Sequence, residues 1–468
     1  MPSAATQEDV STDQIVGVTR TLAHHSAALR YDDLPNYAVQ AAKQFMLDTL
    51  AVAWAGSNAP GCVQAHALLA DEAGRPDSTV WAYGNRLPAG SSAFLNSMFA
   101  AALDFDSLGR DSPVHVNIVV LPAALALAER AHASGKEFLT ALVLGCDLMC
   151  RMGASCEAPG NPHRGWFYTS VHGVFGAAAA GARLLRLDAA ATQHALGIAY
   201  GQAAGTQQAV IEPSLTKRMQ SAFAARAGVF AAQLAASGIS APRAVIDGQF
   251  GLYRMYQEGD TARLLSGLGQ RFENGNLSIK KFPSCGCNHT AIEGALRLAR
   301  EHDLRAEEIE GIEVNISPFM DRLVGGCFDP SGDPQVAAQF SIRYSIACAI
   351  VRRRLGLAEL DEAIVRDPLI GRLVEKVKVI VDRANSGKRG PIMLRIRSRR
   401  HGELACRVEH VPGSEHAPLS AQDITDKCRD CFVRGTRPLN ERQCELLMER
   451  VAGIENVTDM GAFFADIL

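Results

Sequence analysis

A mainly α protein is what this sequence predicts. A large all-helical domain is formed by both chain ends, and a smaller α+β lid domain is inserted between them. Three observations carry that expectation. Helical patterns dominate up to about residue 275, strand-like alternation sets in after Gly275, and helix returns from Ser420. At 468 residues the chain also exceeds the ~250–300 at which one core usually stops growing. The boundaries read as 1–275 with 415–468 for the helical domain, and 276–414 for the lid. The closing helices are too few for a core of their own and are expected to pack back on the first part.

Each element has its own reason. Thr12-Asp13 can cap a helix running through His24. Tyr37 to Ala55 is apolar on most of its circumference and closes with Gly56, as a buried helix does. Gly90 to Leu103 is a small-residue helix feeding Asp104. Pro122 reads as a helix start, since the first turn has no bond for its missing N–H to lose. Glu137 to Met152 and Ser170 to Leu187 continue the theme. In the second of these, Gly173, Gly176 and Gly181 allow close helix contacts, against ~1 kcal/mol each in propensity. Asp188 to Ala203 and Gln220 to Ser237 complete the helical body. Beyond Gly275, a helix is expected over Thr290 to His302 and a long one over Gln335 to Arg353. Glu310 to Ser317, Val377 to Val381, Ile392 to Arg397 and Glu403 to Val411 alternate as strands. The chain should end in helix, Met460 to Leu468.

Composition narrows the function. Hydrophobic residues make up 47% and charged ones 21%, with a formal net charge of −3. That balance is globular and points to neither nucleic acid nor an anionic membrane as partner. The basic stretch Arg395 to Arg400 alternates with apolar residues, as the exposed face of a strand does. MPSAATQEDVSTDQ is polar and acidic without a signal-like apolar core, and no run approaches ~18 uninterrupted apolar residues. The 12 cysteines lie mostly in apolar helices, as buried free thiols do. Cys428-x-x-Cys431 has no second pair, which argues against structural zinc. Reduced cysteines and a cytoplasmic enzyme are expected.

The chemistry concentrates in LDFDSLGRDSPVHVNIVVLPAALALAER, Leu103 to Arg130. Asp104 and Asp106 flank an aromatic, and His115 follows a loop containing Gly109 and Pro113. Small apolar neighbours favour partial burial, and buried acids and imidazoles need partners. One reading makes Asp104 a helix cap and His115 a satisfied core group. The sharper one is an Asp–His pair suited to acid–base work.

Other groups could join it. Lys217-Arg218 stands at a helix entrance, either solvated or poised to bind an anion. Lys280-Lys281 precedes Pro283, which holds Phe282 extended, and His289 follows; taken alone, such loop lysines read as solvent-facing. His172 sits at a helix start, a turn after Tyr168. No Gly-rich nucleotide loop, GxSxG elbow, HExxH or convincing metal spacing occurs, so a cofactor-free site without metal is expected.

Taken together, LDFD…H…LPAALALAE, VHGVFGAAAA, TKRMQ…AARAGVFAAQLA, KKFPSC…HTAIEGAL and FSIRYSIACAI resemble the MmgE/PrpD family, in the right order from about Thr12 to Val451. That family includes 2-methylcitrate dehydratase, cis-aconitate decarboxylase and iminodisuccinate epimerase. The resemblance implies a helical domain built from both chain ends, an inserted lid, a homodimer, and neither metal nor organic cofactor. It carries the family's active-site aspartate and histidine onto Asp104 and His115, and its two lysines onto Lys217 and Lys280, with Lys281 beside the second.

Three departures accompany the match. Many relatives carry His-Pro where Phe167-Tyr168 stands, and the decarboxylases carry a histidine near Cys285 and a tyrosine near Leu323. These losses argue against cis-aconitate decarboxylation by the family's arrangement, and leave Tyr168, His172 and Arg218 as replacement polar groups. The implied activity is a cofactor-independent lyase of dehydratase type acting on a small di- or tricarboxylate. His115, held by Asp104, would move a proton next to a carboxylate while Lys217 and Lys280 hold the charge. The alternatives are an epimerase or isomerase of a dicarboxylate such as iminodisuccinate, and a non-catalytic carboxylate-binding homologue.

Overall fold

The computed structural model describes residues 17–72, 74–110, 113–157, 164–212 and 214–468. The fold is mainly α. Its buried apolar side chains form two large clusters. One draws on residues between Val18 and Ile279 together with Leu357 and residues between Cys428 and Ile467. The other draws on residues between Phe282 and Val408.

The first cluster is a packed helical body. Its main helices are Val18–Ala28, Asn36–Gly56, Ala89–Ala102, Asn117–Ala131, Gly135–Ser155, Tyr168–Leu184, Ala189–Tyr200 and Thr216–Ala236. The Thr12-Asp13 cap expected for the first of them lies outside the described residues. Close approach is built on small residues. A Cβ at Gly145 would meet the Gly176 carbonyl oxygen at 2.5 Å, and one at Gly176 would meet the Gly145 oxygen at 2.7 Å. The two helices therefore touch backbone to backbone, and either glycine is irreplaceable without separating them. Gly228 presses on Ala177 in the same way. Gly135–Ser155 is long and apolar enough to cross a membrane, but nearly all of its apolar window is buried in this body.

Pro122 is a correction. It lies inside Asn117–Ala131, not at its start. An interior proline costs about 3 kcal/mol. Burial of Ile118, Val119, Val120 and Leu121, at roughly 1.5–3 kcal/mol each, outweighs that and pulls the helix start forward.

The second cluster covers a four-stranded sheet in the order Val377–Val381, Ile309–Ile316, Ile392–Ser398, Gly402–Val408. The first pair is parallel and the other two are antiparallel. Helix His289–Glu301 lies on it, with Gly294 set against Ile392, Leu394 and Val408. The long helix expected over Gln335 to Arg353 is two helices, Pro334–Gln339 and Ile342–Arg352. Ser341 breaks it, because its hydroxyl accepts the Tyr344 N–H and caps the second helix.

The chain end returns to the helical body, with helices Ala421–Phe432 and Glu441–Ala452. Phe432 meets Trp54 edge-on at 5.9 Å, and Trp54 Nε1 donates to the Arg437 carbonyl at 2.7 Å. Met460–Ala462 is a single 3-10 turn, so the expected final helix is not formed. All 12 cysteines are free thiols.

Candidate active site

The site begins where helix Ala89–Ala102 ends. Asp104 takes a left-handed backbone, φ 50°, a conformation that aspartate tolerates better than most residues. The chain then turns into a short strand, Leu108–Gly109, which pairs antiparallel with Leu277–Ser278. That pairing brings Lys280 beside Asp104. Its Nζ donates to Asp104 Oδ2 at 2.8 Å and to the Asp104 carbonyl at 2.7 Å. Lys217, one residue into helix Thr216–Ala236, donates to the other carboxylate oxygen, Oδ1. Its ammonium also stands over the Phe340 ring at 5.1 Å. One buried carboxylate thus holds two ammonium groups, one on each oxygen.

His115 does not pair with Asp104. Its Nδ1 meets Asp106 Oδ2 at 2.7 Å, so the acid that orients the imidazole is the second of the two aspartates. The reason is local. Asp104 turns away in its left-handed conformation toward the lysines, while Asp106 lies next to the start of the following helix. Asn117 Nδ2 donates to Ser107 Oγ at 3.0 Å, and the His115 N–H donates to Thr169 Oγ1 at 3.1 Å. These bonds hold both ends of the Asp106–His115 contact. With Nδ1 committed to Asp106, Nε2 is the nitrogen left to exchange a proton.

Burial opposes charge throughout this cluster, and opposite partners overcome it. The Lys217, Lys280 and His115 charges hold the Asp104 carboxyl well below the usual range despite its burial. Asp106 is likewise lowered, chiefly by His115. Burial pulls the Lys280 ammonium down, but Asp104 and Asp106 push it above its ordinary value.

Asp104, His115, Lys217 and Lys280 line one cavity, together with Tyr168 and Arg389. Its walls come from both core clusters. Tyr168 belongs to the first and Cys287 to the second, with Phe319 and Leu323 packed against the latter, and Leu108, Pro113, Phe167, Val210 and Phe340 also line the space. Burial pushes the Tyr168 hydroxyl well above its ordinary value. Cys285 also lines the cavity, its thiol held below the usual range by a hydrogen bond with Cys287. The three positions where the sequence departs from the family pattern, Phe167-Tyr168, Cys285 and Leu323, therefore all face this space.

Four other expected site residues lie outside the cavity lining. Lys281 is exposed, in a bend beyond the strand Leu277–Ser278, and pairs with Glu293 at 2.9 Å. Lys280, by contrast, is only 3% exposed, so the solvent-facing reading holds for one lysine and fails for the other. Arg218 follows Lys217 on a helix and so faces away from it. It is buried, donating to the Pro60 carbonyl at 2.8 Å. His172 is buried beneath Tyr168, ring centroids 4.9 Å apart. His289 is buried with Nε2 3.3 Å from the Ser284 carbonyl.

Burial first, and the Lys280 charge second, push the His289 imidazole down to about 3. An unfolded histidine titrates near 6.5, so below that pH the unfolded chain takes up a proton the folded one refuses. The stability linked to His289 is full above pH ~6.5 and drains as pH falls toward about 3, at roughly 1.4 kcal/mol per pH unit. Denaturant titrations of the parent and His289→Gln between pH 7 and pH 4 should differ by that slope, the variant losing less stability as pH falls; Glu129 and Asp147, raised by burial to about 7 and about 6, act oppositely in both proteins.

Two residues of the site, Asp106 and Arg389, are not among the expected site residues. Asp106 has a sequence signal, its two-residue spacing from Asp104. Arg389 has none: it sits in SGKRGP, a loop by composition, and reaches the cavity only through the fold. Its Nη2 donates to the Gly109 carbonyl at 2.8 Å, and its stem runs past Gly286, where a Cβ would meet Arg389 Cδ at 3.3 Å. Among the described residues no group of three His, Cys, Asp or Glu side chains could hold a metal ion.

Comparison with known proteins adds independent weight. A cis-aconitate decarboxylase of Aspergillus terreus is 27% identical over 377 residues, 76% of each chain. A cis-aconitate decarboxylase-like protein of Aspergillus oryzae is 32% identical over 300 residues, 61% of this chain and 62% of that one. Human cis-aconitate decarboxylase is 23% identical over 457 residues, 94% of this chain and 92% of the human one. The MmgE/PrpD N-terminal domain matches residues 20–265 and the MmgE/PrpD C-terminal domain matches residues 282–452. With both domain models met in order, and together spanning most of its length, the chain belongs to the MmgE/PrpD family.

Proposed function

We propose that this protein is a lyase acting on a small di- or tricarboxylate, by moving a proton at the carbon next to a carboxylate. The observation that carries the reading is the cavity itself. It sets an Asp106-oriented imidazole beside two lysines bridged by one buried aspartate. His115 Nε2 takes the proton. Negative charge builds on the substrate carboxylate, where Lys217, Lys280 and Arg389 stabilise it in a partly desolvated space. In dehydration the β-hydroxyl then leaves, its C–O bond broken, and departs as water with a proton from the site.

The relatives favour a second bond-breaking step. Their names are those of decarboxylases, and loss of CO2 would leave a carbanion for protonated His115 to quench. The apolar Phe167 and Leu323 on the cavity wall favour dehydration or epimerisation over that step. Incubation in deuterated water with cis-aconitate, citrate, 2-methylcitrate and iminodisuccinate separates the outcomes. Water loss with label marks a dehydratase, CO2 release a decarboxylase, and label without net loss an epimerase. Binding by thermal shift with neither label nor product would leave only a carboxylate-binding homologue.

Arg389→Gln should raise KM about 10- to 100-fold and lower kcat less, since a charge-assisted bond to a carboxylate contributes roughly 1.5–3 kcal/mol. Steady-state kinetics on the active acid checks this. The unit containing the sheet supplies Arg389 and Phe319 to a cavity whose histidine belongs to the helical body. Acting as a lid, it would exclude water as the substrate settles.

A homodimer through the helical body belongs to the same reading. The small residues Ala177 to Ala182 are spent inside the monomer, but Phe223 and Phe230, a heptad apart on helix Thr216–Ala236, are both about half exposed. Light scattering at micromolar concentration that gave only the 50.1 kDa monomer would end the dimer.

A further inference from the structure

Behind the cavity lies a buried ion pair that the proposed chemistry does not use. Asp48, on helix Asn36–Gly56, is fully buried, and Lys427, on helix Ala421–Phe432, is nearly so. Lys427 Nζ stands 2.6 Å from Asp48 Oδ1. It also donates to the Phe105 carbonyl at 2.8 Å and the Lys280 carbonyl at 3.0 Å. Of the ammonium's three N–H donors, two go to these carbonyls, while Asp48 balances the charge at ion-pair distance. The same ammonium lies 3.9 Å from the centroid of the Phe105 ring.

Both carbonyls belong to the site's own backbone. Phe105 is the residue between Asp104, which holds the two lysines, and Asp106, which orients His115. The second carbonyl is that of Lys280 itself. We infer that Lys427, fixed by Asp48, is a positioning residue that clamps the Asp104–Asp106 loop to the segment carrying Lys280. The clamp sets the distance from the imidazole to the ammonium groups. This rests on the proposal that the cavity is catalytic.

Three features separate a clamp from a general structural pair. Lys427 spends two donors on two different site segments, not on its own helix. The segments it joins are far apart in the chain, 322 and 147 residues from it. The two stretches are also joined by the two-residue strand pairing, the Arg110 bonds to Asn276 and Gly275, and the Lys280–Asp104 bonds, none of which reaches Phe105. A misplacement of about 1 Å in such a site can cost about 100-fold in rate, whereas a buried ion pair replaced by apolar residues of similar size is often neutral for stability.

That contrast supplies the test. Asp48→Leu combined with Lys427→Met removes both charges together. The double variant is expected to fold, to keep KM within about threefold, and to lose about 100-fold in kcat on whichever acid of the panel turns over. Hydrogen exchange read by mass spectrometry should quicken in residues 103–109 and 277–285 and stay unchanged in the remaining body helices. A folded double variant with kcat within threefold of the parent and unchanged protection in both segments overturns the clamp. Should it not fold, Lys427→Arg asks the same question, because a larger planar guanidinium keeps the charge opposite Asp48 but does not reproduce the ammonium's two bonds to the Phe105 and Lys280 carbonyls. Loss of kcat at constant KM is expected there, and full kcat refutes. If the parent protein turns over no acid at all, the lyase reading fails, and the exchange measurement alone decides the clamp.

Discussion

His115→Gln is expected to lower kcat by roughly 10²–10⁴-fold, the range a positioned general acid or base supplies, while leaving the carboxylate substrate bound. The split follows from how the groups are held. Lys217, Lys280 and Arg389 reach the cavity from three other segments, and none of them bonds to His115 among the contacts described. Removing the imidazole therefore takes away the proton carrier and leaves the cations. Glutamine fills similar space and still offers a donor toward Asp106, so the buried Asp106 carboxylate keeps a partner. Deuterium uptake and calorimetric binding, measured on the same preparation, check both halves. Normal exchange in this variant would show that the base has been misassigned, and Tyr168, on the same cavity wall, would be the next side chain to test.

Asp104→Ala should do more damage to the fold than to any single step. The substitution strands two ammonium groups that now share one carboxylate, and Lys280 is 3% exposed. Leaving a buried charge unpaired costs about 3–5 kcal/mol. Lys217 can turn partly toward the cavity water, so its share is smaller. Lys280 also loses nothing of its bond to the Asp104 backbone carbonyl, which moderates the loss without replacing the charge. The expected result is a thermal midpoint lowered by several degrees, with activity below detection. A variant as stable as the parent would mean that Lys280 sheds its proton when Asp104 is gone, which a recovery of stability at high pH would reveal. Asp104→Asn should fall between the two, keeping the acceptors but not the charge.

Much of the fold was legible because burial leaves a periodic trace. Tyr37 to Ala55 reads as a helix apolar nearly all round, and the helix Asn36–Gly56 is buried along most of its length. Glu310 to Ser317 alternates, and strand Ile309–Ile316 buries every second residue along most of its length. The misreadings fall where a local rule met a stronger distant one. Pro122 starts a helix by local preference but sits inside one because its neighbours are buried. Ser341 ends a helix through a cap that a periodic pattern hides.

What the sequence determined by itself is the mainly helical fold, the strands of the sheet, the membership in the family, and the short roster of acids, lysines and histidines from which a site could be built. Which of them meet was decided only by the tertiary structure. Asp104 finds Lys217 across 113 residues and Lys280 across 176, Asp106 takes the histidine that the family resemblance assigned to Asp104, and Arg389 arrives from a loop with no motif at all. Lys280 and Lys281 look alike in the chain, yet one is buried against a carboxylate and the other is exposed. The physical reason is that periodicity records whether one side chain faces water, whereas a site depends on pairs, and the pairing of distant residues is set by how helices and strands pack.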